Sequence, residues 1–209
     1  MIKTPAFFID MQICTGCKTC MVACKDKNDL DSGLRWRRVY EFSGGDWVKA
    51  DDGTFTQDVF AYYISMGCNH CQDPACVEAC PSCAMHRNES GIVLIDSKKC
   101  VGCRYCEWAC PYSAPQFDYA NGIMTKCDFC QSQIQEGREP CCVEACPTHA
   151  LLFGDYDELI ALHGKKAIIA PLPPPEITCP NLVIAPPKQA KSTENTNGLI
   201  QNPEEVKDE

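Results

Sequence analysis

Apolar residues in this chain come in short runs separated by polar turns and cysteine-rich loops. Residues 6–9 (Ala6, Phe7, Phe8, Ile9) and 92–95 (Ile92, Val93, Leu94, Ile95) read as short β-strands, each just ahead of a polar loop. A third apolar run, residues 151–153, reads as another extended segment. Between residues 35 and 63, Trp36, Tyr40, Phe42, Trp47, Phe55, Phe60, Tyr62 and Tyr63 alternate with polar residues. Gly44-Gly45 and Asp52-Gly53 supply turn signals there, so the segment predicts two or three antiparallel strands. From Asp155 the spacing of Tyr156, Leu159, Ile160 and Leu162 is helical, with Gly164 placed to cap the end. Prolines 171, 173, 174, 175, 180, 186 and 187 then predict an extended segment. Residues 188–209 are polar and are expected to be disordered alone. The longest apolar run, residues 167–172, falls far short of the roughly 18 residues a membrane helix needs. The N-terminal residues show no charged region followed by an apolar stretch and no twin arginine, so neither membrane insertion nor self-directed export is expected.

The cysteines decide the chemical class. Of nineteen, sixteen fall into four runs: Cys14, Cys17, Cys20, Cys24; Cys68, Cys71, Cys76, Cys80; Cys100, Cys103, Cys106, Cys110; and Cys127, Cys130, Cys142, Cys146. The first and third have the C-x2-C-x2-C-x3-C spacing of bacterial ferredoxins. A cubane needs one thiolate per iron from four directions. The tight loop supplies three, and the fourth cysteine is expected to start a short helix and to ligate the other cluster of a pair. Pro81, Pro111 and Pro147 follow three of the runs; Lys25 stands there in the first. Cys141 and Cys142 compete for one ligand role, and the x3 spacing to Cys146 selects Cys142. Cys83, Cys141 and Cys179 then remain as small buried or incidental residues.

Disulfides fit poorly, because cysteines two residues apart in a tight loop make bad partners. Zinc fits only the fourth run, whose two pairs are separated by a longer loop; four thiolates within eleven residues would crowd one tetrahedral ion.

Composition sharpens this reading. The formal charge is −9, and each cubane with a 2+ core and four thiolates adds about 2−. Such a protein is a poor nucleic-acid binder. Cysteine supplies part of the apolar content of the 209 residues, so the core is thin and ligation must support folding. Unoxidised cysteines point to assembly in the cytoplasm. No G-x-G-x-x-G follows a strand, and there is neither a P-loop nor C-x-x-C-H. His70, inside a cysteine loop, could tune or cover a cluster; packing or surface roles are the plainer reading for it and for His86, His149 and His163.

An internal repeat organises the chain. Ile95-Asp96-Ser97-Lys98-Lys99-Cys100-Val101-Gly102-Cys103 echoes Ile9-Asp10-Met11-Gln12-Ile13-Cys14-Thr15-Gly16-Cys17. Cys80-Pro81-Ser82-Cys83, Cys110-Pro111-Tyr112-Ser113 and Cys146-Pro147-Thr148-His149 echo one another. The expected fold class is α+β: two interleaved ferredoxin-like modules with a β insertion and an extended C-terminal tail. Runs two and three form one module, residues 64–110. Runs one and four, in residues 1–34 and 111–165, pair only if the chain folds back, so the strand before Cys14 should meet the strand after Cys146. Residues 35–63 are the insertion and 166–209 the tail.

The loops Cys14-Thr15-Gly16-Cys17-Lys18-Thr19-Cys20, Cys68-Asn69-His70-Cys71-Gln72-Asp73-Pro74-Ala75-Cys76 and Cys100-Val101-Gly102-Cys103-Arg104-Tyr105-Cys106 carry a closer likeness. So do Gly44-Gly45-Asp46-Trp47, Phe60-Ala61-Tyr62-Tyr63 and Ala170-Pro171-Leu172-Pro173. From about residue 7 to 187 the chain resembles the iron–sulfur subunit of the dimethyl sulfoxide reductase family. The resemblance implies a non-catalytic subunit between a molybdopterin catalytic subunit and a quinol-oxidising membrane anchor, peripheral to the membrane through these partners. It implies four 4Fe–4S clusters held by Cys14, Cys17, Cys20 and Cys146; by Cys24, Cys127, Cys130 and Cys142; by Cys68, Cys71, Cys76 and Cys110; and by Cys80, Cys100, Cys103 and Cys106. Cysteine at 103, where nitrate reductase relatives carry tryptophan, implies that all four are four-iron clusters. Residues 171–187 are expected to lie across the catalytic subunit, with packing on their own chain as the alternative. A cluster-bearing assembly factor is the second functional class; complete ligand sets favour electron transfer.

Overall fold

The computed structural model describes residues 2–164, 168–195 and 197–206. Ala167, which opens the longest apolar run, and residues 207–209 of the tail lie outside the described residues.

The chain opens with β1 (Pro5–Asp10), passes through the first cysteine loop and enters α1 (Thr19–Lys27). β2 (Arg38–Gly44) follows, then β3 (Trp47–Lys49), β4 (Phe55–Gln57) and β5 (Phe60–Met66). The central region has α2 (Ala75–Glu78), β6 (Met85–Arg87), β7 (Val93–Ile95), α3 (Tyr105–Ala109), β8 (Gln116–Asp118) and β9 (Ile123–Thr125). Next come α4 (Gln131–Gln135), α5 (Cys141–Glu144), β10 (Leu151–Asp155) and α6 (Tyr156–His163). A 3-10 turn at Pro175–Ile177 leads to β11 (Leu182–Ala185), β12 (Gly198–Ile200) and α7 (Pro203–Val206).

The sheets are small. β1 lies centrally between β10, antiparallel, and β11, parallel. The strand before Cys14 thus meets the strand after Cys146, with Phe7 opposite Phe153 and Ile9 opposite Leu151. β1 reads as an unbroken apolar run because both its faces are covered. Phe7 and Ile9 enter the main core with Ile64, Phe129, Leu151 and Ile184. Ala6 and Phe8 point the other way, against Leu159 of α6 and Val183.

The aromatic segment holds one strand more than expected. β2 and β5 pair over seven residues, while β3 and β4 form a separate hairpin with every residue exposed. Gly45 makes the break between them, at φ +92°, where a Cβ would lie 2.5 Å from the Asp58 carbonyl oxygen.

The tail expectation needs correction. Residues 171–187 do not stand off from this chain. β11 completes the β1 sheet, and Leu182, Val183 and Ile184 are buried. Pro180 and Pro186 flank this apolar run without interrupting it, and the free edge of β1 accepts it. Gln72 N–H donates to the Cys179 carbonyl (2.8 Å), and Tyr62 Oη donates to the Ala170 carbonyl (2.8 Å). The described part of the polar tail packs on this chain as well: β12 pairs with β2, and Arg38 donates to the Val206 carbonyl at 2.8 Å. Asn202 accepts from Glu41 N–H (3.0 Å) and donates to the Val39 carbonyl (2.9 Å).

Candidate metal centre

Each cysteine run is built on the same backbone device. The helix begins one residue before the third cysteine: Cys20, Cys76, Cys106 and Cys142 are the second residues of α1, α2, α3 and α5. The expected helix start at the fourth cysteine is therefore corrected. Cys80, Cys110 and Cys146 lie beyond their helix ends, and Cys24 lies within α1. What fixes the start is the residue before the helix. Lys18 and Arg104 are left-handed, both at φ 63°, and Pro74 and Pro140 take that place in the other two runs. A left-handed residue turns the chain sharply, and a proline cannot offer an N–H to a preceding turn. The exits repeat too. Cys83, Ser113 and His149 have φ of 51°, 48° and 53°, and their N–H groups donate to the carbonyls of Cys80, Cys110 and Cys146. Cys83, exposed, is a turn residue rather than a ligand candidate.

The thiols gather across the runs. Cys14, Cys17, Cys20 and Cys146 line one cavity, with Gly16 and Ser65 in its wall. Burial pushes the Cys14 thiol up, and Cys20, Cys146 and Cys17 add to it. Burial raises Cys76 as well, helped by Cys68, Cys110 and Cys71. Cys71 is pushed to about 12, by burial first and then by Cys68 and Cys110 against a lowering contact with Thr178. Cys106 rises to about 12 through burial and the nearby Cys80, Cys100 and Cys103. Thiols that raise one another in this way need a cation to become thiolates, a part that iron bound by them would play.

The remaining group holds five thiols. Burial raises Cys127, with Cys68 and Cys142 adding and Arg37 and Lys126 opposing. Burial raises Cys142, against Arg37 and with Cys130 and Cys20. Cys130 and Cys141 have their sulfurs 3.5 Å apart, and both pack against Cys24 and Trp36. That contact is the main cause of the raised Cys130 thiol. It lowers Cys141, but a contact with Cys24 and burial carry Cys141 to about 12. Cys141 is thus buried beside the ligand candidates; incidental is not the right description. Among the described residues, no three His, Cys, Asp or Glu side chains close tightly enough around one point to hold a single metal ion.

Hydrogen bonds reach the sulfurs from several directions. Met85 N–H lies 3.4 Å from Cys80 Sγ, Met124 N–H 3.4 Å from Cys100 Sγ and Ala114 N–H 3.5 Å from Cys110 Sγ. Ser65 Oγ is 3.2 Å from Cys20 Sγ, and Thr19 Oγ1 is 3.3 Å from Cys17 Sγ. The Thr19 hydroxyl is the main cause of the lowered Cys17 thiol. Such donors tune a cluster's potential.

Two buried cations, Arg37 and Lys126, carried no role in the sequence reading, while His70 takes the packing role that was its plainer reading. Arg37 is 2% exposed and Lys126 is 4% exposed. Lys126 Nζ donates to the carbonyls of Val93 and Cys127. His70, fully buried, stacks on Phe129 at 4.0 Å and accepts the Val93 N–H at Nδ1 (3.1 Å). Burial, then the Lys126 and Arg37 cations, hold His70 well below the usual imidazole range, so it is neutral. The Arg37-Arg38 pair sits in an aromatic segment, but periodicity alone does not say which face is interior.

Residues 59–156 match the 4Fe-4S dicluster domain family. The B subunit of anaerobic dimethyl sulfoxide reductase from Escherichia coli K12 is 54% identical over 96% of this sequence and 97% of its own length. Its counterpart in Haemophilus influenzae is 52% identical over 96% of this sequence and 98% of its own. The protein belongs to the family of dimethyl sulfoxide reductase B subunits. A third relative, the probable anaerobic dimethyl sulfoxide reductase subunit YnfG of Escherichia coli K12, is 54% identical over the same span. The B subunit of such a reductase is its iron–sulfur, electron-transfer subunit and not the catalytic one. The likeness read from residues 7–187 therefore holds, and it extends over nearly the whole sequence.

Proposed function

We propose that this chain carries four 4Fe–4S clusters. It relays electrons from a quinol-oxidising membrane anchor to a molybdopterin subunit that reduces dimethyl sulfoxide or a related S- or N-oxide in anaerobic respiration. The carrying observation is that Cys146, from the last run, shares a cavity with Cys14, Cys17 and Cys20 of the first. This supports the interleaved ligand sets: Cys14, Cys17, Cys20 and Cys146; Cys24, Cys127, Cys130 and Cys142; Cys68, Cys71, Cys76 and Cys110; Cys80, Cys100, Cys103 and Cys106. It also supports two ferredoxin-like modules, residues 64–110 inserted between residues 1–34 and 111–165. The reductase names of the relatives support the partners. No helix among the described residues is long and apolar enough to cross a membrane, which fits attachment through an anchor subunit.

The complex, purified anaerobically, should contain about sixteen iron and sixteen sulfide per copy of this subunit, beyond any held by its partners, from one thiolate per iron. A quinol should reduce its clusters, and an S-oxide should reoxidise them. About twelve iron with zinc present would reject the second ligand set. Reduction without reoxidation by any S- or N-oxide would reject the acceptor.

A further inference from the structure

Arg37 has no carboxylate partner among the described residues; the groups that act on its charge are thiols. Its Nη1 donates to the Ser65 carbonyl (3.1 Å) and to Ser65 Oγ (3.2 Å). Ser65 Oγ lies 3.2 Å from Cys20 Sγ. Because that oxygen accepts from Arg37, its own hydrogen is left to point at Cys20. Nη2 has no hydrogen-bond partner, although it is buried. The guanidinium carbon stands 4.5 Å from the centre of the Phe7 ring, which fixes the plane of the group. The thiols close enough to act on its charge are Cys142, Cys20, Cys127 and Cys24. Cys20 belongs to the first ligand set and the other three to the second.

We propose that Arg37 is a positioning residue that holds one uncompensated positive charge between the first two clusters and raises the reduction potential of both. The inference rests on the ligand sets proposed above. A buried cation without a carboxylate is costly unless negative charge lies beside it. Each one-electron reduction adds a negative charge to a cluster. Arg37 therefore stabilises the reduced form of either cluster more than the oxidised form, directly on the Cys142 side and through the Ser65 hydroxyl on the Cys20 side. It also offsets the repulsion that would oppose reducing both. None of Cys80, Cys100, Cys103 and Cys106 is among the thiols that act on Arg37, so that cluster should not respond.

The test is a potentiometric titration of the purified holocomplex followed by electron paramagnetic resonance, for wild type, Arg37→Gln and Arg37→Lys. At a potential where wild type is half reduced, Arg37→Gln should cut the reduced-to-oxidised ratio of the first two clusters about tenfold. That is a fall of about 59 mV for a one-electron couple. Arg37→Lys should stay within about twofold of wild type, and the distant cluster should not move in either variant. Unmoved potentials in Arg37→Gln would overturn the proposal. So would equal shifts in both variants, or loss of iron from both, since packing would then be the role. If only Arg37→Gln loses iron, wild-type potentials in Arg37→Lys still support the charge, and shifted ones refute it. A wild-type preparation lacking four clusters would sink the ligand sets instead.

Discussion

Two adjacent cysteines, Cys141 and Cys142, differ by one position on a one-turn helix, and that position separates the proposed ligand from its neighbour. Cys142 occupies the second residue of α5, as Cys76 does in α2 after Pro74. Cys141 takes the place of Ala75. Cys142→Ala should therefore remove the cluster of Cys24, Cys127 and Cys130, while Cys141→Ala should leave the iron content unchanged. Iron analysis of both variants checks this, and retained iron in Cys142→Ala would hand the role to Cys141. Spacing alone selected Cys142. That Cys141 is buried 3.5 Å from Cys130 was not legible, because local sequence does not say which loop closes over which. The same holds for Arg37: a basic residue in an aromatic stretch reads as surface until a fold from elsewhere covers it.

Among the elements, α6 was read closely from sequence because its signals are local: apolar spacing from Asp155 and a following glycine. Asp155 accepts the Asp157 N–H (3.1 Å) and also the Lys3 (2.8 Å) and Thr4 (3.0 Å) N–H groups, tying helix start to chain start. The Thr4, Lys3 and Asp157 amides hold its carboxyl below the usual range. A lowered folded pKa means that the stabilisation is present above the ordinary aspartate value and fades as pH falls through the folded one. Asp155→Ala should cost about 1 kcal/mol at pH 7, as for a lost N-cap. The gap from wild type should narrow below about pH 4. Anaerobic denaturant unfolding at several pH values measures it, and a gap independent of pH would refute the charged cap. β11 was missed for the opposite reason. Its only signal is a four-residue apolar run among prolines, and its pairing partner lies far away at the other end of the chain.

At the scale of the molecule, the tail is structural. Lys18 pairs with Glu41 of β2 (2.9 Å) and Glu205 of α7 (2.5 Å), and Arg38 joins α7 to the turn after Cys110. Removing residues from 178 onward should therefore strip iron from the first ligand set and lower solubility, rather than merely weaken association with a partner. Iron content of the truncated protein decides between these outcomes.

The central place of β1 also has a temporal meaning. One edge of β1 waits for β10 and the other for β11. At about 5–20 residues per second, a ribosome reaches them on the order of ten seconds or more after making Cys14, Cys17 and Cys20. For that interval three of the first set's thiols are without Cys146 and without the sheet that seats them. On the proposed ligand set, cluster loading there follows synthesis of Cys146, and the nascent thiols are kept reduced until then.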